Sequence, residues 1–504
     1  MELEVGVGVV VSLVAESTVI LEPMVRIVEI GLISAVVLAV LAFGGTEPLA
    51  FSVVQVVLLG LGILLLATYG TRRVGKPRLP VAIPLFLVVL ILLQIAPLPA
   101  SVIRLFHNTD NQLNRTSFAS VSIAPCETLS YLVLLLTYLA AFYLTILVCQ
   151  RPNGSRHLIF ALLALGTFEA CYGLVQYLTG WRQIFTYVKK YDLGLATGTY
   201  INRNHYAGLL EMVLPFALAL AFYQFGKIPK PQGRMQSFFS HEEFQKSLLC
   251  LFLAIVLFVG LVFSQSRMGI ISAVASTLLV FTLMATSGLR RINAALLAAV
   301  FLPAAILMVI WIGPEPIIGR FEALGASQSR WGIWQDTLHL IRQHPWLGSG
   351  FGTFGLAFPA VQTTFLSMFV NHAHSDYLEL ASELGLPMGL LVLSAVFYLL
   401  LQSIRRFRIS EPRFERAVAL GCFGALVAIL LHSLADFNLQ IPANALLFAV
   451  VLGLAYGTSP REMQLGKQCR KVQGDVETKA DGSLGEQSSR PVDSLVAPVR
   501  RGRE

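Results

Sequence analysis

Residues 247–285 read SLLCLFLAIVLFVGLVFSQSRMGIISAVASTLLVFTLMA, two long apolar runs joined by the short polar turn Ser264-Gln-Ser-Arg-Met-Gly269. Each run approaches the roughly 20 consecutive apolar residues that an α-helix needs to cross the hydrocarbon core of a bilayer. Because no water is present there to satisfy the backbone, such a run must pair its own N–H and C=O groups within a helix. The stretch therefore predicts two consecutive membrane-spanning helices connected by a tight turn.

The same pattern repeats along the chain. Apolar residues make up 55% of the 504 residues and charged residues 13%, whereas a soluble domain usually carries about 25% charge. The apolar runs are too long and too uniform for the alternating strands of a membrane barrel. We therefore predict an all-α polytopic membrane protein with about twelve transmembrane helices. These spans are expected near residues 27–44, 49–69, 79–98, 129–149, 158–178, 207–224, 247–264, 269–285, 292–312, 386–402, 417–434 and 441–457.

The basic residues predict the orientation of these spans. Alternate loops carry clusters of Lys and Arg, and if every predicted span is real, all of these loops fall on one side. Cytoplasmic loops of membrane proteins are enriched in Lys and Arg, so both termini are predicted to be cytoplasmic. The same distribution argues against nucleic-acid binding as the reason for the net charge of +8. The clusters lie at 72–78, 151–156, 227–234, 290–291 and 405–416.

The opposite, outer side has loops at 99–128, 179–206 and 313–385. The last is too long for a simple connector, which favours a functional role. It contains a predicted amphipathic helix at 330–343, which either lies along the membrane surface or packs on the loop's own core. The apolar face of this helix is expected to carry Trp331, Trp334, Leu338 and Ile341.

The domain organisation follows from these boundaries. Residues 1–458 are predicted to form the transmembrane domain, including the long outer loop. Residues 459–504 are polar, mixed in charge and poor in aromatic residues. This composition is typical of a disordered segment, here a cytoplasmic tail.

Three arginines, Arg203, Arg267 and Arg330, lie at or near the outer ends of predicted spans. Arg267 stands in the quoted turn against the positive-inside bias, and a guanidinium at membrane level can bind an anionic head group through several N–H groups. The alternative interpretation is a side chain that snorkels to the interface. His205 lies beside Arg203, and Glu211 follows inside the span. An intramembrane carboxylate is a functional candidate by default, although Glu211 would alternatively pair with Arg203 or His205.

Two histidines, His372 and His374, precede the tenth predicted span. A histidine with a near-neutral pKa can take a proton from a hydroxyl. Two histidines at this spacing, with no clear set of partner ligands nearby, do not indicate a metal site. Asp376 and Glu379 fit a helix-capping arrangement, and Gly385 would end that short helix.

The glycines at 348, 350 and 352 form a turn in the long loop. A nucleotide-binding loop is excluded because no strand precedes these glycines and no Rossmann unit follows. We expect instead that the backbone amides of this turn face a ligand or the membrane surface.

The segment Asn371-His-Ala-His-Ser-Asp-Tyr-Leu-Glu-Leu, followed by Glu383-Leu-Gly385, resembles the His-[Asn/Ser/Gln]-x9-Gly signature of the O-antigen ligase/polymerase family of membrane glycosyltransferases. The segments 202–208, 266–269 and 330–350 also resemble family segments, so the resemblance covers residues 160–455. One departure is that Gly385-Leu-Pro-Met-Gly389 is one residue longer than the Gly-x-x-Gly common in the family. This departure bears on local helix geometry more than on chemistry.

The resemblance implies a reaction and a place for it. The protein would lie in the bacterial cytoplasmic (inner) membrane, with its active site facing outward. It would transfer a glycan from an undecaprenyl-diphosphate-linked donor to a lipid, glycan or protein acceptor, by an inverting, metal-independent reaction without a cofactor. Preorganised cations would stabilise the negative charge that develops on the leaving diphosphate. The implied site comprises the diphosphate-binding Arg203, Arg267 and Arg330, the catalytic candidates His374 and His372, and the orienting candidates His205 and Glu211.

The sequence leaves several functions open. A ligase, a polysaccharide polymerase and a protein O-glycosyltransferase would share the donor chemistry. A secondary transporter or a flippase for lipid-linked glycan is a different class that the predicted spans would suit. Against it, the spans show no paired broken helices and few carboxylates able to couple transport, mainly Glu169 and Glu211. A purely structural scaffold would leave the outward arginines and histidines unexplained.

Overall fold

The chain is mostly helical in the computed structural model, which describes residues 23–70, 79–103, 118–228, 241–286, 291–312, 327–363, 369–409 and 414–457. Two small antiparallel ribbons accompany the helices, β1 (Leu98–Pro99) with β2 (Phe118–Ala119) and β3 (Gln183–Ile184) with β4 (Tyr187–Val188). The helices in chain order are α1 (Pro23–Leu41), α2 (Pro48–Gly70), α3 (Ala82–Ile95), α4 (Ala100–Ile103), α5 (Pro125–Cys149), α6 (Gly154–Thr179), α7 (Arg203–Lys227), α8 (Glu242–Phe263), α9 (Arg267–Thr286), α10 (Arg291–Ile312), α11 (Ser327–Gln343), α12 (Phe354–Ala357), α13 (Asp376–Leu384), α14 (Leu386–Ile409), α15 (Phe414–His432) and α16 (Pro442–Gly457).

Every predicted span coincides with an apolar helix. Nine of the described helices are long and apolar enough to cross a membrane, which confirms an all-α membrane protein. The remaining three spans coincide with α3, α10 and α16, whose described apolar parts have 10–17 residues. The count of twelve spans therefore stays a prediction. The predicted tail at 459–504 and the start of the long loop, 313–326, lie outside the described residues.

The quoted hairpin forms α8 and α9, and both pack against α7, the most deeply buried of the nine long helices. On its other side α7 packs against α15. Gly421 of α15 permits a close approach of the two helices, because an added Cβ would lie 2.3 Å from the ring of Phe216 on α7. Around this centre, α5 packs against α2, α3 and α16, and α14 packs against α15. Val25–Pro460 thus form one compact unit.

The predicted helix at 330–343 is present as α11, and it packs on the loop's own core. Ile333 and Leu340 are buried there. The predicted apolar face is wrong in part, because Ile341 is buried but Trp331 and Leu338 are 61% and 43% exposed. Trp331 therefore faces away from this core, whereas Trp334 is half-buried. The core also contains Phe354, Ala357, Phe358, Val361 and Ala373.

The glycine turn differs from our expectation, because its backbone amides bond within the protein. The Ser349 and Gly350 N–H groups donate to the carbonyls of Ser382 and Glu383, at 2.9 and 3.2 Å. Gly348 has a φ of +72°, and an added Cβ would lie 2.1 Å from the Glu383 carbonyl oxygen. Glycine is required at this position because the turn lies directly on the end of α13.

The short helix α13 ends as predicted at Leu384, with Gly385 as its C-cap at a φ of +79°. The next long helix, α14, begins at Leu386. Because of this break, α13 is a separate short helix and not the first turns of α14. The segment 371–375, which precedes α13, is thereby positioned against the loop between α15 and α16.

Candidate functional site

The loop between α15 and α16 forms the centre of the site, and Asp436 is its buried acid. The side chain of Asp436 is 2% exposed. One carboxylate oxygen accepts a hydrogen bond from Asn204 Nδ2 at 2.6 Å and lies 3.7 Å from an Nη atom of Arg330. The other lies 3.9 Å from His205 Nε2. The start of α7, the start of α11 and this loop therefore converge on one carboxylate.

Phe437, the next residue, brings three histidines together. Its ring lies 4.4 Å from the ring of His372 in a stacked arrangement. It meets His205 and His374 edge-on at centroid distances of 4.9 and 5.0 Å. His205 and the pair His372 and His374, which are far apart in sequence, thus surround one aromatic ring.

Arg330 is held in place and still partly open to solvent. It donates a hydrogen bond of 2.8 Å to the Ala435 carbonyl, and its side chain is 30% exposed. A guanidinium has five N–H donors, so these contacts leave donors for a ligand. Burial alone would raise the pKa of Asp436, but His432, His205 and Arg330 hold it below its usual range. Arg330 therefore faces an ionised carboxylate at neutral pH.

His374 has an unusual backbone and an unsatisfied side chain. Its φ is +52°, in the left-handed region, and its Nδ1 atom is buried without a hydrogen-bond partner. Burial lowers the pKa of His374 to about 4, with Asp436 opposing this shift and Arg330 adding to it. The imidazole is therefore neutral at pH 7 and able to accept a proton. A buried polar atom left unpaired costs about 1–3 kcal/mol, and such exceptions concentrate at functional sites.

The side chains around His372 depart from the predicted capping arrangement. Ser375 is the N-cap of α13 and makes no side-chain capping bond. Glu379 reaches further back, accepting from the Ala373 N–H at 2.8 Å while its other oxygen lies 2.8 Å from His372 Nδ1. Asp376 instead accepts from the Ser433 hydroxyl at 2.6 Å. Both acids thus hold the histidine-bearing loop in place. Only Glu379 does so by accepting a backbone N–H near the start of α13, as a capping residue would.

Arg203 begins α7 and pairs with Asp192. The two side chains lie 3.6 Å apart, and the Arg203 N–H donates to Asp192 at 3.2 Å. Asn202 caps the helix through a 2.8 Å bond from the Asn204 N–H. Arg203 therefore lies in the first turn of α7, as His205 does, and its acidic partner comes from the preceding loop.

Arg267 begins α9 at the same end of the helix bundle. Gly269, two residues on, is so close to Ala207 of α7 that an added Cβ would lie 2.7 Å from the Ala207 Cβ. Ala207 itself follows His205 by two residues, which places Arg267 near the start of α7. The half-buried Arg267 side chain has no hydrogen bond or ion pair with the residues that the structure describes.

Glu211 does not pair with Arg203 or His205, so that alternative interpretation is wrong. Its carboxylate lies 3.0 Å from His432 Nδ1 and accepts a hydrogen bond from the Ser272 hydroxyl. Glu211 and His432 are both fully buried. This pair lies inside the bundle, one helical turn or more from the residues around Phe437.

Sequence reasoning missed His432, Asp436 and Phe437. A signal was present, since a histidine ends the eleventh predicted span and a carboxylate follows in its short outer turn. The sequence does not show which residues surround that turn in space, however, so the turn was interpreted as a simple connector. Among the described residues, no group of three or more His, Cys, Asp or Glu side chains is arranged to hold a metal ion.

Two cavities adjoin this cluster. A groove of about 560 Å³ runs between α3, α5, α14 and α16, and its lining is largely apolar but includes Asp376 and Ser433. A smaller polar pocket of about 300 Å³ is lined by His372, Glu379 and Glu383. Of the three histidines around Phe437, His372 lines the polar pocket, while the groove approaches the same loop through Asp376 and Ser433.

Comparison with known proteins gives a family match over part of the chain. Residues 252–393 match the family model described as O-antigen ligase. The matched segment contains Arg267, Arg330, His372 and His374, whereas Arg203 and the α15–α16 loop lie outside it. No curated protein sequence matches the chain significantly. The match confirms the resemblance seen in the signature residues, and it makes residues 252–393 of this membrane protein similar to the O-antigen ligase family.

Proposed function

We propose that this protein transfers a glycan from an undecaprenyl-diphosphate-linked donor to an acceptor hydroxyl at the outer face of the cytoplasmic membrane. The observation that carries the proposal is the convergence of Arg330, His205, His372 and His374 on the loop at Asp436 and Phe437. The family match supports a ligase-like or polymerase-like role for the protein.

In this proposal the arginines bind the donor diphosphate. Arg330 is partly exposed beside the histidines, and Arg267 lies at the same end of the bundle without an acidic partner among the described residues. When the glycosidic bond to the diphosphate breaks, negative charge grows on the leaving oxygen. Cations already fixed there stabilise that charge without reorganisation. Arg203 would extend the set after exchanging Asp192 for phosphate.

His374 is the proposed base. The acceptor hydroxyl gives its proton to the neutral imidazole as its oxygen attacks the anomeric carbon of the donor sugar. The bond between that carbon and the diphosphate oxygen breaks, the diphosphate leaves with the electron pair, and the configuration inverts. A bound diphosphate is an anion beside the imidazole, so it raises the pKa of His374 and makes it a stronger base.

The apolar groove suits the polyprenyl tail of the donor. Its lining includes Leu135, Leu391 and Phe448, and it also includes Asp376, the residue two positions after His374. An apolar groove accepts such a tail without exposing it to water, as the bilayer itself does. The tail would thus hold the diphosphate next to the arginines while the glycan remains in water.

Glycolipid analysis of cells that carry Arg267→Ala or His374→Ala tests the proposal. We expect polyprenyl-linked glycan to accumulate on the outer leaflet at unchanged protein level. The matched controls are Arg342→Ala and His339→Ala, exposed residues of the same long loop, which should transfer glycan normally. Wild-type transfer in both Arg267→Ala and His374→Ala would refute the site.

The same experiment separates the other functions. Accumulation on the inner leaflet would indicate a flippase instead of a transferase. If transfer fails, unligated long chains indicate that the protein is a ligase, and single repeat units indicate a polymerase. Loss of glycan from a protein acceptor, with lipid-bound glycan unchanged, would identify a protein O-glycosyltransferase.

A further inference from the structure

The polar pocket beside His372 has no part in the proposed donor chemistry. It lies between the first turn of α5, α12 and α13, and its volume is about 300 Å³. This is the lower end of the roughly 300–1,000 Å³ typical of small-molecule sites. The pocket has room for a small ring and not for a long chain.

The lining combines aromatic and polar groups. Tyr131 and Phe354 supply aromatic surface, while Glu127, Asn371 and Glu379 supply polar atoms. A sugar ring presents apolar C–H faces and hydroxyls around its edge, so it matches both kinds of surface. Binding sites of this kind use apolar walls for affinity and a few fixed polar groups for orientation.

Glu383 supplies an independent sign of a ligand. Its side chain is 2% exposed. One carboxyl oxygen accepts from the Phe354 N–H at 3.0 Å, while the other, Oε2, is buried without a partner. Burial, with the charge of Glu379, raises the pKa of Glu383 to about 8. At neutral pH the group is therefore mostly a protonated carboxyl, which can donate to and accept from a ligand hydroxyl.

The charge of the pocket distinguishes it from the diphosphate site. Besides the protonated Glu383, the residues that line it include Glu127 and Glu379 and no Lys or Arg, whereas Arg330 lies beside Asp436, a residue of the loop between α15 and α16. Like charges brought together in a binding site repel one another. A diphosphate would be repelled from this pocket, so its occupant is the substrate that carries no phosphate at the reacting end.

The pocket also adjoins the proposed base. His372 lines it and stacks on Phe437, and Phe437 meets the ring of His374 at 5.0 Å. We propose that the pocket binds one sugar ring of the acceptor, neutral or carrying an amine, and excludes sugars with a carboxylate. This inference rests on the proposed function, since it assigns the acceptor side of the same reaction.

Sugar binding to the whole protein in lipid nanodiscs tests the inference without any transfer reaction. Saturation-transfer NMR would measure methyl glucoside, the methyl glycoside of glucosamine, and methyl glucuronide. We expect the first two to bind and the glucuronide to bind at least about tenfold more weakly, because its carboxylate meets the glutamates. Equal binding of all three, or of none, would overturn the inference.

Charge reversal locates the binding. Glu127 is exposed on the first turn of α5, so Glu127→Lys should fold and should strengthen glucuronide binding relative to the wild type. The matched control is Glu47→Lys, an exposed acid just before α2 and away from the pocket lining, which should leave all three affinities unchanged. Identical behaviour of the two variants would refute the assignment to this pocket.

Undecaprenyl diphosphate separates acceptor from donor. Saturating amounts of this probe should leave methyl glucoside binding intact, and displacement would show that the pocket belongs to the donor. The two proposals fail in different ways. If the wild type transfers glycan but binds no methyl glycoside, only the proposal of an acceptor pocket is refuted. If the wild type binds the sugars specifically but transfers no glycan, only the proposed reaction is refuted.

Discussion

Asp436 shows how one residue organises the site. It holds Asn204 by a hydrogen bond and lies within 4 Å of both Arg330 and His205. It is buried and ionised, because the neighbouring cations and histidines outweigh the cost of burial. A fixed negative charge of this kind orients a guanidinium without blocking all of its donors.

Asp436→Asn should impair catalysis because the amide has the size of the carboxylate but not the charge that orients Arg330 and His205. We expect the rate of glycan transfer to fall roughly 100-fold, the scale associated with misplacing a reacting group by about 1 Å. The effect should appear in kcat and in the KM for donor, as measured with purified protein in nanodiscs. Asp336→Asn, at a buried acid that bonds Thr363, is the control and should change stability more than kcat. Unchanged kinetics in Asp436→Asn would contradict this role.

The pH dependence should report on His374. Its pKa is lowered to about 4, and the base must be neutral to act. Activity is therefore present above this pKa and lost as the pH falls through it. We expect kcat/KM for transfer to stay flat from about pH 8 to pH 5 and to halve near pH 4, because this ratio reports groups of the free enzyme. An inflection near 6.5, the ordinary value for histidine, would contradict the burial of His374.

At the scale of elements, the turn before α12 and the end of α13 act as one unit. The turn donates backbone hydrogen bonds to the Ser382 and Glu383 carbonyls. The Gln94 side chain of α3 also donates to the Glu383 carbonyl, at 2.9 Å. Because α13 directly follows the histidines, this unit sets where His372 and His374 lie.

Gly348→Ala should loosen that unit. The added methyl would lie 2.1 Å from the Glu383 carbonyl oxygen, at a φ of +72°. A strained, overpacked substitution of this kind costs about 1–3 kcal/mol or more. Thermal unfolding in detergent should show a lower Tm and reduced transfer. Gly355→Ala is the control, since its Cβ would be 3.4 Å from the nearest atom. Equal Tm values for the two variants would refute the argument.

At the scale of the whole molecule, buried polar groups tie the bundle together beneath the site. Glu211 of α7 contacts His432 of α15 and Ser272 of α9. Removing one partner of a buried, hydrogen-bonded ionisable pair leaves the other unpaired, which is costly. The three helices whose ends carry the site are thereby held in one arrangement.

A double-mutant cycle should measure that tie. We expect Glu211→Gln and His432→Gln each to lower the free energy of unfolding, with a coupling of about 0.5–3 kcal/mol for residues in contact. Unfolding in lipid or mild detergent gives the four values. Glu211→Gln paired with His339→Gln, an exposed site on α11, should be additive. Additivity in the first cycle would show that Glu211 and His432 act independently.

Local patterns made α11, α13 and the long helices predictable. Apolar run length identifies membrane helices because hydrocarbon forces the backbone to bond within each segment. Gly385 ends α13 as predicted because a left-handed cap favours glycine. The face of α11 was predicted less well, since periodicity assigns Trp331 and Ile341 to the same side of the helix but only tertiary packing decides which of them is buried.

The sequence by itself determined that this chain is a helical membrane protein and that its signature histidines and arginines resemble those of O-antigen ligases. Only the tertiary structure decided that Asp436 and Phe437 stand among them. Asn204 and Asp436 are 232 positions apart, and no periodicity links such residues. Hydrophobic periodicity is a local property of the chain, whereas a site depends on which helix ends meet when the bundle packs.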